Sequence, residues 1–186
     1  MFENAAQLLS DEFRDPFVAV HIEVAVLRLL FAAGLGAAIG FEREIHANSA
    51  GLRTHMIVAM AACLFTIIAA EIMADHSGGG ATVQTDPLRL IEAVTAGVAF
   101  LAAGSIITSG VRVTGLTTGA GMWMAGAIGL ACGIGLLPLA ILSTVLAVVV
   151  LWLLRRLSHG VGHRYRAGAL PGEASQTKAS NQHEKE

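Results

Sequence analysis

Long apolar runs separated by short polar stretches set the pattern of this chain. Five runs stand out: about Val24 to Phe41, Met56 to Met73, Leu90 to Ser109, Thr118 to Leu136 and Leu139 to Leu154. Each is near the ~20 residues that cross a hydrocarbon core as a helix, and none carries a central proline. The alternating segments of about ten residues that a membrane barrel needs are absent. The pattern predicts an all-α polytopic protein with five transmembrane helices over residues 23–157. Residues 1–22 read as an N-terminal polar or interfacial segment, and residues 158–186 as a polar tail expected to be disordered.

The punctuation between the runs supports this division. Asp86-Pro87 is an N-cap followed by a first-turn proline for the third span. Leu137-Pro138 marks a tight turn that makes spans four and five an antiparallel pair. Thr117 or Thr118 can cap the fourth helix. Many of the 21 glycines fall inside the runs, with Gly36 and Gly40, Gly115 and Gly119, and Gly129 and Gly133 each four apart. That spacing lets helix backbones approach closely, either within one bundle or across a dimer. The glycine-rich stretch GLGAAIG (34–40) is embedded in an apolar helix, with no strand before it, so it is read as helix packing and not as a nucleotide loop.

Composition changes the picture only by excluding classes. The chain is 54% hydrophobic and 14% charged, against about a quarter charged in soluble domains, and its mean hydropathy is +0.65. Basic residues do not gather into a nucleic-acid face, so no nucleic-acid partner is expected. Cys63 and Cys132 both lie within spans and read as small apolar core residues. No basic region precedes an apolar run at the N-terminus, so a cleavable signal is not evident. If the spans alternate, Arg43, Arg53, Arg112, Arg155, Arg156, Arg164 and Arg166 share one side. The positive-inside rule makes that side cytoplasmic, with the N-terminus outside, the C-terminus inside, and Trp152 as an inner interfacial anchor.

The ionisable residues left near the membrane form two layers. The outer layer is Arg28, Glu71 and Glu92, bordered by Asp86 and Arg89. Arg28 is placed to pair with Glu71 or Glu92. This layer reads either as a structural ion pair or as a cation- or proton-linked site. The inner layer joins GFEREIHANSAGLRTH (40–55) to SGVRVTGLTTGAG (109–121). It offers Glu42, Arg43, Glu44, Arg53, Thr54 and His55 from the first stretch, and Arg112, Thr117 and Thr118 from the second. Carboxylates and hydroxyls suit a hard cation such as Mg²⁺, with Glu42 the candidate metal ligand. Two arginines equally suit a phosphate or lipid head group. Inner-leaflet anchoring accounts for the arginines but not for the acids. His159 and His163, four apart, are a weak metal signal beside a solvated tail.

These blocks together resemble the MgtC/SapB family of bacterial inner-membrane proteins. The resemblance rests on RLLFAAGLGAAIGFERE (28–44), AGLRTHMIVAMAACLFT (50–66), DPLRLIEAVTAGVAFLAAGSI (86–106) and VRVTGLTTGAGMWMAGAIGLACG (111–133), with span five fitting in position only. It implies a five-span inner-membrane protein tied to growth at low magnesium and, in some pathogens, to survival in host cells. It also implies either a magnesium-transport component or a membrane regulator acting on a partner such as the proton-driven ATP synthase. The polar positions it carries over are Glu42, Arg43, Arg53, Thr54, His55, Asp86, Arg89, Arg112, Thr117 and Thr118. The chain departs from the pattern in Glu92, in Ala102-Ala103, and in having a short polar tail where many members carry a soluble C-terminal domain.

The combined reading is a multi-pass protein of the bacterial inner membrane, linked to magnesium homeostasis. Its polar cytoplasmic cap regulates a partner membrane protein, such as ATP synthase or a magnesium transporter, and a homodimer is open. The alternative is an Mg²⁺ or other ion transporter or channel, with a path between the two charged layers. No nucleophile and base share a pocket at helical spacing, so no enzyme is expected.

Overall fold

Nothing drives apolar helices together inside lipid except fit, so small side chains decide where they meet. The computed structural model describes residues 18–45, 50–76, 86–109 and 112–167. Within them lie five helices: α1 (Ile22–Ile45), α2 (Leu52–His76), α3 (Pro87–Gly104), α4 (Leu116–Ile134) and α5 (Leu137–Ala167). Between α3 and α4 a short antiparallel hairpin joins β1 (Ile107–Ser109) to β2 (Arg112–Thr114), pairing Ile107 with Thr114 and Ser109 with Arg112. The chain divides into two compact units, Met1–Val148 and Val149–Glu186. In the second, Arg156 lies over the Trp152 ring, 4.9 Å from its centre.

In the first unit α2 is the central helix, packed against α1 on one side and α4 on the other, while α3 leans on α4 and barely touches α2. On α1 the buried apolar positions are Ala25, Ala32, Gly36, Ile39 and Gly40, one stripe at helical spacing that continues to the buried Arg43. A Cβ on Gly36 would sit 2.7 Å from the His55 carbonyl oxygen, and one on Gly40 would sit 2.7 Å from the Leu52 Cα. On α4 a Cβ at Gly129 would collide with the Ala59 carbonyl oxygen, and one at Gly133 would meet Cys63 and Thr66. The core is therefore backbone against backbone, filled in by Ala59, Ala62, Cys63, Ala125 and Cys132. The glycine pairs of α1 and α4 are spent inside the bundle. Large residues such as Leu30, Ile57, Phe65, Phe100 and Trp123 stay exposed on its flanks, where acyl chains would cover them.

Three helices, α1, α2 (over Leu52–Ala74) and α4, are long and apolar enough to cross a membrane, and a shorter apolar helix runs from Leu137 to Leu153. Three sequence expectations change. The third run ends at Gly104, and Ile107–Ser109, read as its continuation, is a strand. Residues 106–114 are rich in β-branched side chains, which favour a pleated backbone once the helix stops. The fourth helix is capped by Gly115, in the left-handed region at φ 88°, with no side-chain cap from Thr117 or Thr118. The last helix continues to Ala167, past Ser158 where the polar tail was expected to begin. His159 and His163 fall on this stretch, outside the residues whose side chains are described. So do the interfacial N-terminus before residue 18 and the tail after residue 167.

The clasp on α2 makes a sharp stability prediction. Gly129→Val should destabilise the protein by about 1–3 kcal/mol or more, because the methyl groups enter α2 backbone. Gly34→Ala, with nothing within 4 Å of its Cβ, should change little. Thermal unfolding of the two variants in detergent, side by side, checks the difference.

Candidate functional site

The polar residues gather at the two ends of the α1–α2–α4 bundle. At the first end α1 finishes with Glu42, Arg43 and Glu44, and α2 begins a few residues later. Arg43 is buried, and both its Nε and Nη2 reach one oxygen of Glu42, at 2.7 and 2.6 Å. Residues adjacent on a helix do not normally face each other, so both side chains fold toward one point. The pair is almost wholly enclosed, and removing one member of such a pair leaves a buried charge costing about 3–5 kcal/mol.

Glu44 has a different task. Its Oε2 accepts a hydrogen bond from the Leu52 backbone N–H at 2.9 Å, which satisfies one of the open donors at the α2 N-terminus and sets a negative charge on its positive end. A Cβ on Gly51 would displace that same carboxylate from its place over the turn. His55, one turn into α2, is fully buried. Its Nδ1 donates to the Gly51 carbonyl at 2.8 Å, which leaves Nε2 as the bare ring nitrogen. Nε2 is buried and has no hydrogen-bond partner among the described residues. It faces α4 at Gly121, where an added Cβ would lie 2.9 Å from Nε2 and 3.9 Å from Arg43 Cδ. One turn earlier on α4, Thr118 is also buried.

The cap expected from sequence is therefore assembled in part. Glu42, Arg43, Glu44 and His55 meet around Gly51 and Gly121. Arg53 and Thr117 are exposed and Thr54 half-buried. Arg112 sits in β2, and its side chain lies outside the described set. Among the described residues no group of three His, Cys, Asp or Glu side chains is close enough to hold a metal ion. Glu42, the candidate ligand, has one oxygen committed to Arg43. The cap holds a buried ion pair and a buried imidazole.

At the other end the expected pairing of Arg28 with Glu71 or Glu92 gives way to backbone partners. α4 ends in a Schellman turn, with Leu136 N–H on the Ala131 carbonyl (2.8 Å), Gly135 N–H on that of Cys132 (3.0 Å), and Gly135 at φ 96°. Arg28 Nη1 donates to the next carbonyl, Gly133, at 2.7 Å, and the guanidinium packs so close to Gly135 that a Cβ there would lie 2.6 Å from Nη2. The cation thus lies on the negative end of the helix, on a carbonyl that lipid would leave unpaired. The Glu71 carboxylate accepts the backbone N–H groups of Val18, Ala19 and Val20 at 2.7, 3.0 and 2.8 Å. Asp86 caps α3 through Leu88 N–H at 2.9 Å, with Pro87 in the first turn as expected. Arg89 and Glu92 are exposed. Sequence reasoning reads Gly51 as a turn but not its contact with Glu44, and it misses Gly121, Gly135 and the 18–20 backbone, because each acts through main-chain atoms or through the space a missing side chain leaves.

Between the two ends the interior holds no polar track among the described residues. The buried hydroxyl of Thr66 donates to its own helix at Ala62, 2.8 Å away, and the half-buried Ser105 hydroxyl donates to Ala102 at 2.7 Å.

A helical bundle with lipid-facing flanks, three spans' worth of long apolar helix and polar groups confined to its ends defines a membrane protein. The chain belongs to the MgtC family, whose model matches residues 29–159, from the first turns of α1 into α5. It is 36% identical over 138 residues to the Escherichia coli K12 protein named "Putative magnesium transporter YhiD", covering 72% of this chain and 61% of that one. It is 38% identical over 123 residues to "Protein MgtC" of Brucella abortus strain 2308, covering 66% and 48%. The chain thus spans about half to three-fifths of the length of these curated relatives. No solved structure matches it.

The Glu71 clamp yields a direct test. Glu71→Ala should speed amide exchange at Val18, Ala19 and Val20 by about tenfold or more, since charge-assisted hydrogen bonds are each worth about 1.5–3 kcal/mol. Exchange in the middle of α2 should not change. Hydrogen-exchange mass spectrometry of the two proteins in detergent reads both.

Proposed function

We propose that this chain is a magnesium-linked regulator of the bacterial inner membrane, crossing it five times with its N-terminus outside and the Arg43–His55 end in the cytoplasm. It acts by presenting that end to a partner membrane protein; ATP synthase and a magnesium transporter are the candidates, and a homodimer is a further possibility. The observation that carries the reading is the contrast between ends and middle. The Glu42–Arg43 pair and His55 are buried and held by neighbours, whereas the interior that would have to conduct an ion is closed by glycine-to-backbone contact. A buried ion pair contributes little net stability compared with an apolar replacement, so its presence argues for a recognition or switching role. No catalytic step is proposed.

Transport is the second reading, favoured by the name that the Escherichia coli relative bears. In this chain it would need a path supplied between copies, because among the described residues a single bundle offers no polar connection between Arg28 and Glu42.

Sealed liposomes holding this protein alone and an Mg²⁺-sensitive dye separate the two. The expected result is no flux above protein-free vesicles. Flux that disappears with Glu42→Gln, in protein shown to be inserted, would make the chain a transporter. In cells whose growth at low magnesium depends on it, Glu42→Gln should abolish that dependence and Glu92→Gln should leave it nearly intact.

A further inference from the structure

α2 and α3 converge on α4 but barely touch each other. Between them lies an apolar cleft of about 520 Å³, lined by Ala61, Phe65 and Ala69 on one wall and Ala93, Gly97 and Leu101 on the other. On α2 its lining runs from Val58 to Ile72, about 21 Å at the helical rise. Spread over that length, the volume makes a slot wide enough for one hydrocarbon chain and narrower than a helix. A helix with its side chains is about 10–12 Å across and would rest only on the mouth.

An apolar slot in a bilayer gains nothing merely by taking an acyl chain from lipid that is equally apolar. Selection has to come from its rim. Where α3 begins, Arg89 stands one turn before the lining residue Ala93, with Glu92 three residues after it on the same face. Both are exposed, and neither forms an ion pair among the described residues. A guanidinium beside a carboxylate complements a phosphate beside an ammonium. We infer that the α2–α3 cleft holds one acyl chain of a zwitterionic phospholipid of the phosphatidylethanolamine type, its phosphate on Arg89 and its ammonium on Glu92. The site is separate from the polar cap, and nothing in this inference depends on whether the cap regulates or the protein transports.

The test uses the full chain, reconstituted in vesicles of phosphatidylethanolamine and phosphatidylglycerol and re-extracted in mild detergent. Lipid retained per chain is counted by native mass spectrometry. Phosphatidylethanolamine should be retained stoichiometrically and preferred over phosphatidylglycerol. Gly97→Leu projects into open space, since nothing lies within 4 Å of a Cβ there; it should fill the cleft and cut retention about tenfold, as should Ala93→Leu. Arg89→Gln should cut it by about tenfold with the cleft left open, the size of one lost charge-assisted contact. Retention unchanged in folded Gly97→Leu and Ala93→Leu would overturn the site. Equal retention of phosphatidylglycerol, or indifference to Arg89→Gln, would overturn the head-group assignment. A change in oligomer mass on filling the cleft, with lipid retention unchanged, would give the slot to a second copy of the chain and defeat the proposal.

Discussion

The contact that organises this protein is the approach of the α1 and α4 backbones to the two sides of α2. Gly36 and Gly40 touch α2 at His55 and Leu52, and Gly129 and Gly133 touch it at Ala59 and along Cys63–Thr66. In lipid such contact substitutes for the hydrophobic effect, because dispersion grows steeply as surfaces close and apolar tails compete for anything looser. Close contact of this kind favours glycine, alanine and cysteine on the shared surface, with Ile39 and Ile128 the larger apolar side chains also fully enclosed. Polar groups are then pushed to the ends, which is where the ionisable residues of α1 and α2 are found.

At each end the same constraint produces a different solution. Helix termini in or near lipid carry open N–H and C=O groups that water cannot reach. Arg28 answers for the end of α4, Glu71 for the three N–H groups leading into α1, and Glu44 for the start of α2. These charges are explained by backbone bookkeeping alone. Glu42, Arg43 and His55 are not, since the first two spend their charge on each other and the imidazole leaves a buried nitrogen against Gly121. Among the described residues, the buried polarity that backbone partners do not explain lies at the Arg43–His55 end.

What was legible in the sequence was whatever a residue does through its own side chain or its absence over one or two turns. The helical runs, the Asp86-Pro87 start of α3 and the close-packing glycine pairs belong here. Partnerships with main-chain atoms were not legible. Arg28, read against Glu71 and Glu92 because opposite charges are visible in a sequence, found a carbonyl at Gly133 that no letter marks. The β1–β2 hairpin was a missed signal, not an absent one. Ile107, Thr108, Val113 and Thr114 are the β-branched residues a strand favours, but their apolar character extended the third run past its true end at Gly104.

That hairpin also bears on how the cap is built. By ending α3 at Gly104 and turning back through Arg112–Thr114, the chain enters α4 at Gly115, which sits in the left-handed region and has no side-chain cap. Thr117 and Thr118 are thereby released from capping. Thr118 is buried on the turn before Gly121, the position that faces His55 and Arg43, and Thr117 is left exposed. Had either threonine capped the helix, its hydroxyl would have been spent on a neighbouring backbone N–H. The glycine at the start of α4 therefore does more than start a helix. It leaves hydroxyls at the one end of the bundle where an ion pair and an imidazole are already enclosed, so the third arm of the cap comes from a part of the chain more than sixty residues removed from the first two.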